Sequence, residues 1–448
     1  MSAPPRQAVS DGTAAAQPEA AQAPPEAGPG RGLTAAGRRP GGLLELLDRP
    51  LASYYLVLGI TVLLLALGLV MVLSTTSAYA LYYGGQPFAS FSKQLLGAAA
   101  GLPLMWLLAK APPALFRASA YPLMAISVVS LVLVLAVGQT VDGAERWIQV
   151  AGLQLQPSEL AKLAFLIWGA DLLARKDRLR LLTDWRQLLI PLLPGAVVLC
   201  LLVMLGQDLG TTFILLVIFL SLLWVIGAPL RLFAGMLAML GFAMLIMIVV
   251  ERYRVERVTC FVHPAAQPGS ACYQLNEGKD AIGSGGWFGV GLGASRAKYG
   301  WVPNAPTDFI FAILGEELGL LGTICVTALY GGLAFAGLRI ARRVGDTFMR
   351  LAAAGVTAWI VLQALVNIGA VLGLLPITGV PLPLVSAGLS SLLVTLCAIG
   401  MLLAFARREP GAQQALAAAG PGVARRALGW LGLGHRADRE ETRGWHRT

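Results

Sequence analysis

Charge is scarce in this sequence. Asp, Glu, Lys and Arg make up 13% of its 448 residues, against 56% hydrophobic residues. So few charges cannot cover the apolar surface of a soluble globule of this length, and that class is excluded. Histidine is scarcer still, with three residues, two of them in the carboxy-terminal tail. A multi-histidine metal site and histidine acid–base catalysis are therefore not expected. The five cysteines show no metal-ligand spacing. Cys200, Cys325 and Cys397 lie in apolar runs and read as packing residues. Cys260 and Cys272 share one polar loop, where either free thiols or a disulfide is compatible with the sequence, the latter if the loop faces an oxidising compartment. Lysine contributes only six of the basic residues, so the net charge of +10 is mostly arginine. It sits in the tails and alternate loops, with no nucleic-acid-binding motif beside it, and reads as a topology and lipid-headgroup signal.

What is present is length of apolar run. Residues 54–73, 188–205 and 232–250 are uncharged and each approaches the ~20 residues that cross a bilayer. Ten candidate spans follow, at about 54–73, 91–109, 121–138, 157–174, 188–205, 210–227, 231–250, 308–338, 351–375 and 384–406. The expected fold is an all-α polytopic membrane protein of about ten transmembrane helices. Residues 1–50, rich in Ala, Pro, Gly and Gln, read as a disordered cytoplasmic tail without a cleavable signal peptide. Residues 51–407 form the transmembrane domain and 408–448 a basic cytoplasmic tail. Arg31, Arg38, Arg39 and Arg49 precede the first span. Lys110 and Arg117, then Arg175 to Arg186, then Arg339 to Arg350 mark the second, fourth and eighth loops. The first, fifth and ninth loops carry no Lys or Arg, so both termini are placed in the cytoplasm and the odd loops outside. A large extracellular loop, about 251–307, joins helices 7 and 8.

Chemistry is accordingly sought on the outer face. Asp308 follows Pro306 and Thr307, a helix-start signature, so it reads either as a first-turn acid capped by Thr307 or as a general base at the membrane surface. Helical geometry puts Glu316 ~80° around from Asp308 and Glu317 on the opposite side. Glutamates in hydrocarbon must face protein, water or a cation, and an ion pair is one reading. Glu159 and Lys162, at i and i+3, read as a clamp rather than as catalysts. Asp208 sits in a glycine-flanked turn, either a simple cap or a helix break lining a cavity. Trp147 is an interfacial anchor or a sugar-stacking platform. Arg146 binds a phosphate or satisfies a carbonyl. Arg296 and Lys298 lie in a glycine-rich stretch suited to close approach of an anionic ligand.

The segments "ERWIQVAGLQLQPSELAKL", "GQDLGTT", "GSGGWFGVGLGASRAKYGWVPNAPTDFIFAILGEELGL" and "NIGAVLGLLPITGVPLPLVSAGLSSLL" resemble the FtsW/RodA/SpoVE (SEDS) family over residues 52–407, with "GVGLGASRAKYG" closer to the FtsW branch. The resemblance implies a peptidoglycan glycosyltransferase that polymerises lipid II into β-1,4-linked glycan at the outer face of the bacterial cytoplasmic membrane, at the division septum. It implies as partners a class B penicillin-binding protein, the crosslinking transpeptidase, and other division proteins. A lipid II flippase and a non-catalytic division scaffold are the alternatives. Matched by position, the family's essential acid is Asp308, its functional tryptophan Trp147 and its second acid Glu316 or Glu317, while Glu159 and Lys162 match "SELAK". Asp308 would be the base and Arg146, Arg296 and Lys298 the groups for the departing pyrophosphate. No cofactor is implied with certainty; a divalent cation could assist, although the sequence shows no metal-ligand cluster. Two departures stand out. Gly206–Gln207 replaces a common Gln-Pro and should alter the helix break only mildly. Leu389 replaces a usual glycine and is expected to narrow the space near loop 9.

Overall fold

The computed structural model describes residues 51–82, 88–141, 144–150, 153–180, 185–250, 260 and 271–414. The expected amino-terminal tail, nearly all of the carboxy-terminal tail and most of 251–270 lie outside these residues. In chain order the helices are α1 (Ala52–Tyr82), α2 (Ala89–Lys110) and α3 (Pro113–Val137), then α4 (Pro157–Arg178), α5 (Trp185–Leu189) and α6 (Leu192–Leu205). They continue with α7 (Leu209–Ile226), α8 (Leu230–Val250), α9 (Ala271–Gly285), α10 (Ile310–Arg343), α11 (Thr347–Val371) and α12 (Leu389–Ala406). The protein is a predominantly helical, multi-pass membrane protein, and each expected span overlaps one of these helices. Six of the described helices (α1, α3, α7, α10, α11 and α12) are long and apolar enough on their own to cross a bilayer.

Local signals set the ends. Pro113 and Pro157 stand at the first helical positions of α3 and α4, where a missing N–H costs nothing. Asp346 caps α11 by accepting the Met349 N–H at 3.2 Å. Arg175, Lys176 and Arg178 close α4, and Arg342 and Arg343 close α10, opposite the negative helix end. Among the six long apolar spans the most enclosed are α11 and α12, with 78% of their apolar windows buried, against 22% for α3. They form the centre against which α2, α4, α7 and α10 pack.

Two features depart from a plain helix count. Residues 139–155, expected as loop, carry a three-stranded antiparallel meander: β1 (Gln139–Val141), β2 (Ala144–Val150) and β3 (Leu153–Leu155). Trp147 faces Gln139 across the first pair, and Ile148 faces Leu155 across the second. The eighth span is broken: Gly319 within α10 has φ 69 and ψ −168. A Cβ at Gly319 would lie 2.3 Å from the Gly289 nitrogen, so both its left-handed backbone and its contact require glycine. Leu389, expected to narrow loop 9, instead packs onto α2, where its Cδ1 occupies the space a Cβ on Gly97 would need.

Replacing Gly319 by valine should therefore cost on the order of 1–3 kcal/mol of stability, read as an earlier melting transition of the detergent-purified protein. Gly331→Ala, in the same helix but with open space beside it, should leave the melt unchanged or raise it.

Candidate active site

Asp308 does not sit in a first helical turn. Helix α10 begins at Ile310 and has no side-chain cap. The preceding residues form turns instead: Asn304 has φ 55, and its carbonyl accepts the Thr307 and Phe309 N–H groups at 3.1 and 3.2 Å. The reason lies in the carbonyls of 306–308. Pro306 O accepts the Ala387 N–H at 2.9 Å, Thr307 O the Ser386 hydroxyl at 2.6 Å, and Asp308 O the Asn367 amide at 2.7 Å. Those carbonyls are committed to the loop after α11 and to α11 itself, so the helix starts later. The half-buried Asp308 is left on a step between α10 and that loop.

The same loop, residues 372–388, organises everything nearby. Asn367 also donates to Val380 O at 2.8 Å, and Gln363 donates to Pro381 O at 2.9 Å. Gln94 of α2 brackets the loop's end, donating to Ser386 O at 3.2 Å and accepting the Gly388 N–H at 2.9 Å. Tyr330 of α10 donates to Pro383 O. Gln363 in turn accepts Lys162 Nζ at 3.2 Å and Trp359 Nε1 at 2.8 Å. Lys162 lies 2.9 Å from both carboxylate oxygens of Glu159, and both residues are buried. Glu159 and Lys162 thus form the expected clamp, tying α4 to α11 beneath the loop.

Asp208 proves to be both a cap and a junction. Its carboxylate accepts the Thr211 N–H at 3.0 Å and the Thr211 hydroxyl at 2.7 Å, and it also takes Gln156 Nε2 at 2.9 Å and Ser158 Oγ at 3.1 Å. Gln207, with φ 59, makes the turn that presents it. Beside Asp208 lies a small pocket lined by Ser158, Gly206, Arg146 and the apolar Leu131 and Leu202. Arg146 enters it from β2, and its buried Nε has no hydrogen-bond partner among the described residues. Strand alternation sends the adjacent Trp147 to the opposite face of the meander, where it is half-buried. The meander is joined to α12 through Ser390, which donates to Gln154 O at 3.4 Å and accepts the N–H of the following Gln156 at 3.0 Å.

The two glutamates serve a different part of the molecule. Buried Glu316 accepts the Ser295 hydroxyl, the Arg296 N–H at 3.0 Å and the Ala297 N–H at 3.3 Å, so it caps the turn at 295–297. Glu317 pairs with Lys298 at 3.1 Å and accepts Ser74 Oγ of α1 at 2.7 Å. Lys298 is almost completely buried and also donates to Ser74 Oγ and to Gly293 O. This corrects the expectation for Lys298: its charge is neutralised by Glu317 and not presented to an anionic ligand. Glu317 makes the structural pair expected of it. With Asp308 off the helix, the angular relation to Glu316 does not hold. Arg296 is exposed on the same stretch.

Cys260 and Cys272 are joined by a disulfide, with a Cα–Cα distance of 5.0 Å. Among the described residues no group of three or more His, Cys, Asp or Glu side chains is placed to hold a metal ion. The sequence reading missed Gln94, Gln363, Asn367 and Ser386. Polar residues inside apolar runs were the available signal, but nothing in the runs said which backbone they would serve. Outside this network, on α9, the Glu277 carboxyl is pushed above its ordinary pKa by partial burial and then by Asp280.

Fold and site together define a multi-pass helical membrane protein that holds an acid on a loop-bounded step and an arginine whose Nε has no hydrogen-bond partner among the described residues. A family model described as "Cell cycle protein" (FTSW_RODA_SPOVE) matches residues 54–410, and the chain belongs to this family. It is 43% identical over 374 residues to "Probable peptidoglycan glycosyltransferase FtsW" of Mycobacterium tuberculosis (strain ATCC 25618 / H37Rv), covering 83% of this chain and 71% of that protein. It is 36% identical to "Stage V sporulation protein E" of Bacillus subtilis (strain 168), covering 78% and 95%. Among solved structures it is similar to a chain described under "Structural coordination of polymerization and crosslinking by a peptidoglycan synthase complex". That match has a TM-score of 0.63 and 28% identity, covering 81% of this chain and 98% of the other. The rod shape determining protein RodA of Thermus thermophilus matches with a TM-score of 0.58 and 28% identity, covering 81% and 99%.

Because Lys162 is buried against Glu159, Glu159→Ala strands a charge and should cost about 3–5 kcal/mol. The double variant Glu159→Leu/Lys162→Met should recover much of that loss in a thermal melt, since neither charge then remains in the core.

Proposed function

We propose that this chain is a peptidoglycan glycosyltransferase that polymerises lipid II into β-1,4-linked glycan strands during septal wall synthesis. The observation that carries the reading is its likeness to relatives bearing that name, over 83% and 76% of this chain. The protein is a multi-pass protein of the cytoplasmic membrane, with ten crossings, cytoplasmic tails and the Asp308 step facing outward. Its location is the division septum. The arginine distribution supports this orientation.

The reaction displaces an α-linked pyrophosphate and creates a β bond, so it inverts the anomeric carbon. The acceptor's 4-hydroxyl oxygen attacks that carbon, its proton passes to the Asp308 carboxylate, and the carbon–oxygen bond to pyrophosphate breaks with its electron pair leaving on the phosphate. Asp308 is suited to the base role because its backbone is pinned while its side chain stands on a half-exposed edge. Arg146 is the candidate for the departing anion, since its buried Nε has no hydrogen-bond partner among the described residues. Arg296, on the exposed rim, is a second cation for the phosphates. Lys298, Glu316 and Glu317 hold the loop that carries Arg296. Trp147 offers its ring to a sugar. Glu159, Lys162 and Asp208 position these groups without touching substrate. The crosslinking partner is a class B penicillin-binding protein, acting beside other division proteins. The likeness to a chain from a peptidoglycan synthase complex supports that pairing.

Asp308→Asn should reduce polymerisation by roughly 10²–10⁴-fold while the melt stays near that of the parent. The measurement is gel analysis of polymer formed from purified lipid II by the purified protein with its transpeptidase partner. Polymer at the parental rate would remove Asp308 from the base role.

A further inference from the structure

The stretch 287–301 exposes an unusual run of large apolar side chains: Trp287, Phe288, Val290, Leu292, Tyr299 and Trp301, with Phe288 at 81%. In water such a patch is unfavourable and marks an interaction surface. The stretch is nevertheless held firmly. Val290 and Gly291 donate to the carbonyls of Glu316 and Glu317 at 2.9 and 3.1 Å, and Gly286 and Trp287 accept the N–H groups of Leu320 and Leu321 at 2.9 and 3.2 Å. These are the backbone groups that the break at Gly319 releases from the helical ladder. Residues 286–291 therefore stand in for a missing turn of α10, and the Glu317–Lys298 pair and the Glu316 cap lock them in place.

The break fixes the depth of this crest. From Leu320 to Arg343 the helix runs 24 residues, or ~36 Å, slightly more than the ~30 Å hydrocarbon thickness. With Arg342 and Arg343 at one headgroup layer, Leu320 reaches the opposite interface. Leu320, Leu321 and Ile324 are exposed just below it, and the Trp287–Leu321 hydrogen bond makes the crest continuous with that lipid-facing surface.

We propose that Trp287, Phe288, Val290 and Leu292 insert into the lipid interface of the outer leaflet as an anchor. Its occupant is bilayer lipid, because the crest prolongs the lipid-facing side of α10 and carries the aromatic residues that settle at headgroup level. The anchor is bonded to Glu316 and Glu317, in the short helical segment that begins beside Asp308, so it ties the site to the membrane surface. The inference depends on the membrane fold and not on catalysis.

The test uses the full-length protein alone in phosphatidylcholine–phosphatidylglycerol vesicles, comparing the parent with Trp287→Phe. Subtracting the two emission spectra isolates Trp287. That difference emission should be blue-shifted and resist iodide present on both sides of the membrane. Lipids brominated near the headgroup end should quench it roughly twice as strongly as lipids brominated near the chain terminus, as expected for a side chain at the headgroup–acyl boundary. Trp287→Phe/Phe288→Trp, which keeps the tryptophan number, should give the same ordering. Emission quenched by iodide and by neither lipid would overturn the anchor, and would point to a crest left for another protein to cover.

Discussion

The structure around the candidate site depends on one constraint: residues 372–388 run as non-helical backbone through the middle of an apolar helical bundle. Ile377, Val380, Leu382, Leu384 and Val385 are buried there, and a peptide group buried without a partner costs ~1–3 kcal/mol. Irregular backbone survives at such a place only when protein groups replace the missing ladder. Gln94, Gln363, Asn367, Tyr330 and Ser386 do so, from α2, α11, α10 and the loop itself. The same donors then hold the carbonyls of Thr307 and Asp308. The position of the acid is a consequence of how the loop is satisfied.

Charge is handled by the same economy. Asp171, fully buried at the far end of α4, lies between Arg117 and Arg175 at 2.9 and 2.7 Å. Glu159 holds Lys162, Glu317 holds Lys298, and Asp208 receives donors from Gln156, Ser158 and Thr211. These buried acids are thus bound into the frame. Arg146 differs: its Nε is buried with no hydrogen-bond partner among the described residues. Asp308 on its edge and Arg146 are the groups we propose as proton acceptor and anion site.

Much of this was legible in the sequence, and the limits have physical causes. Long apolar runs carry their own instruction, so the helices emerged with ends near their proline, glycine and arginine markers. The i, i+3 spacing of Glu159 and Lys162 gave the clamp outright. The meander at 139–155 was hidden because two of its three strands have only three residues, too few for alternation to stand out from a loop. The break at Gly319 was hidden because one glycine in an apolar helix is usually tolerated; only the chain crossing at Gly289 reveals why it must be there. The late start of α10 was hidden for the same kind of reason. Pro306 and Thr307 signal a helix, but their carbonyls are claimed by a segment some eighty residues later in the chain. Local signals cannot report a distant competitor.

The claim that the loop after α11 places Asp308 is tested most directly at Asn367, whose amide joins Asp308 O to Val380 O. The measurement is the rate of glycan polymerisation from lipid II by purified Asn367→Leu, Asp308→Asn and the double variant. If the bridge aligns the acid, Asn367→Leu falls up to ~10²-fold in a protein that still melts cooperatively, and the double variant is no slower than Asp308→Asn alone. Parental activity in Asn367→Leu, or losses that multiply in the double variant, would contradict the account.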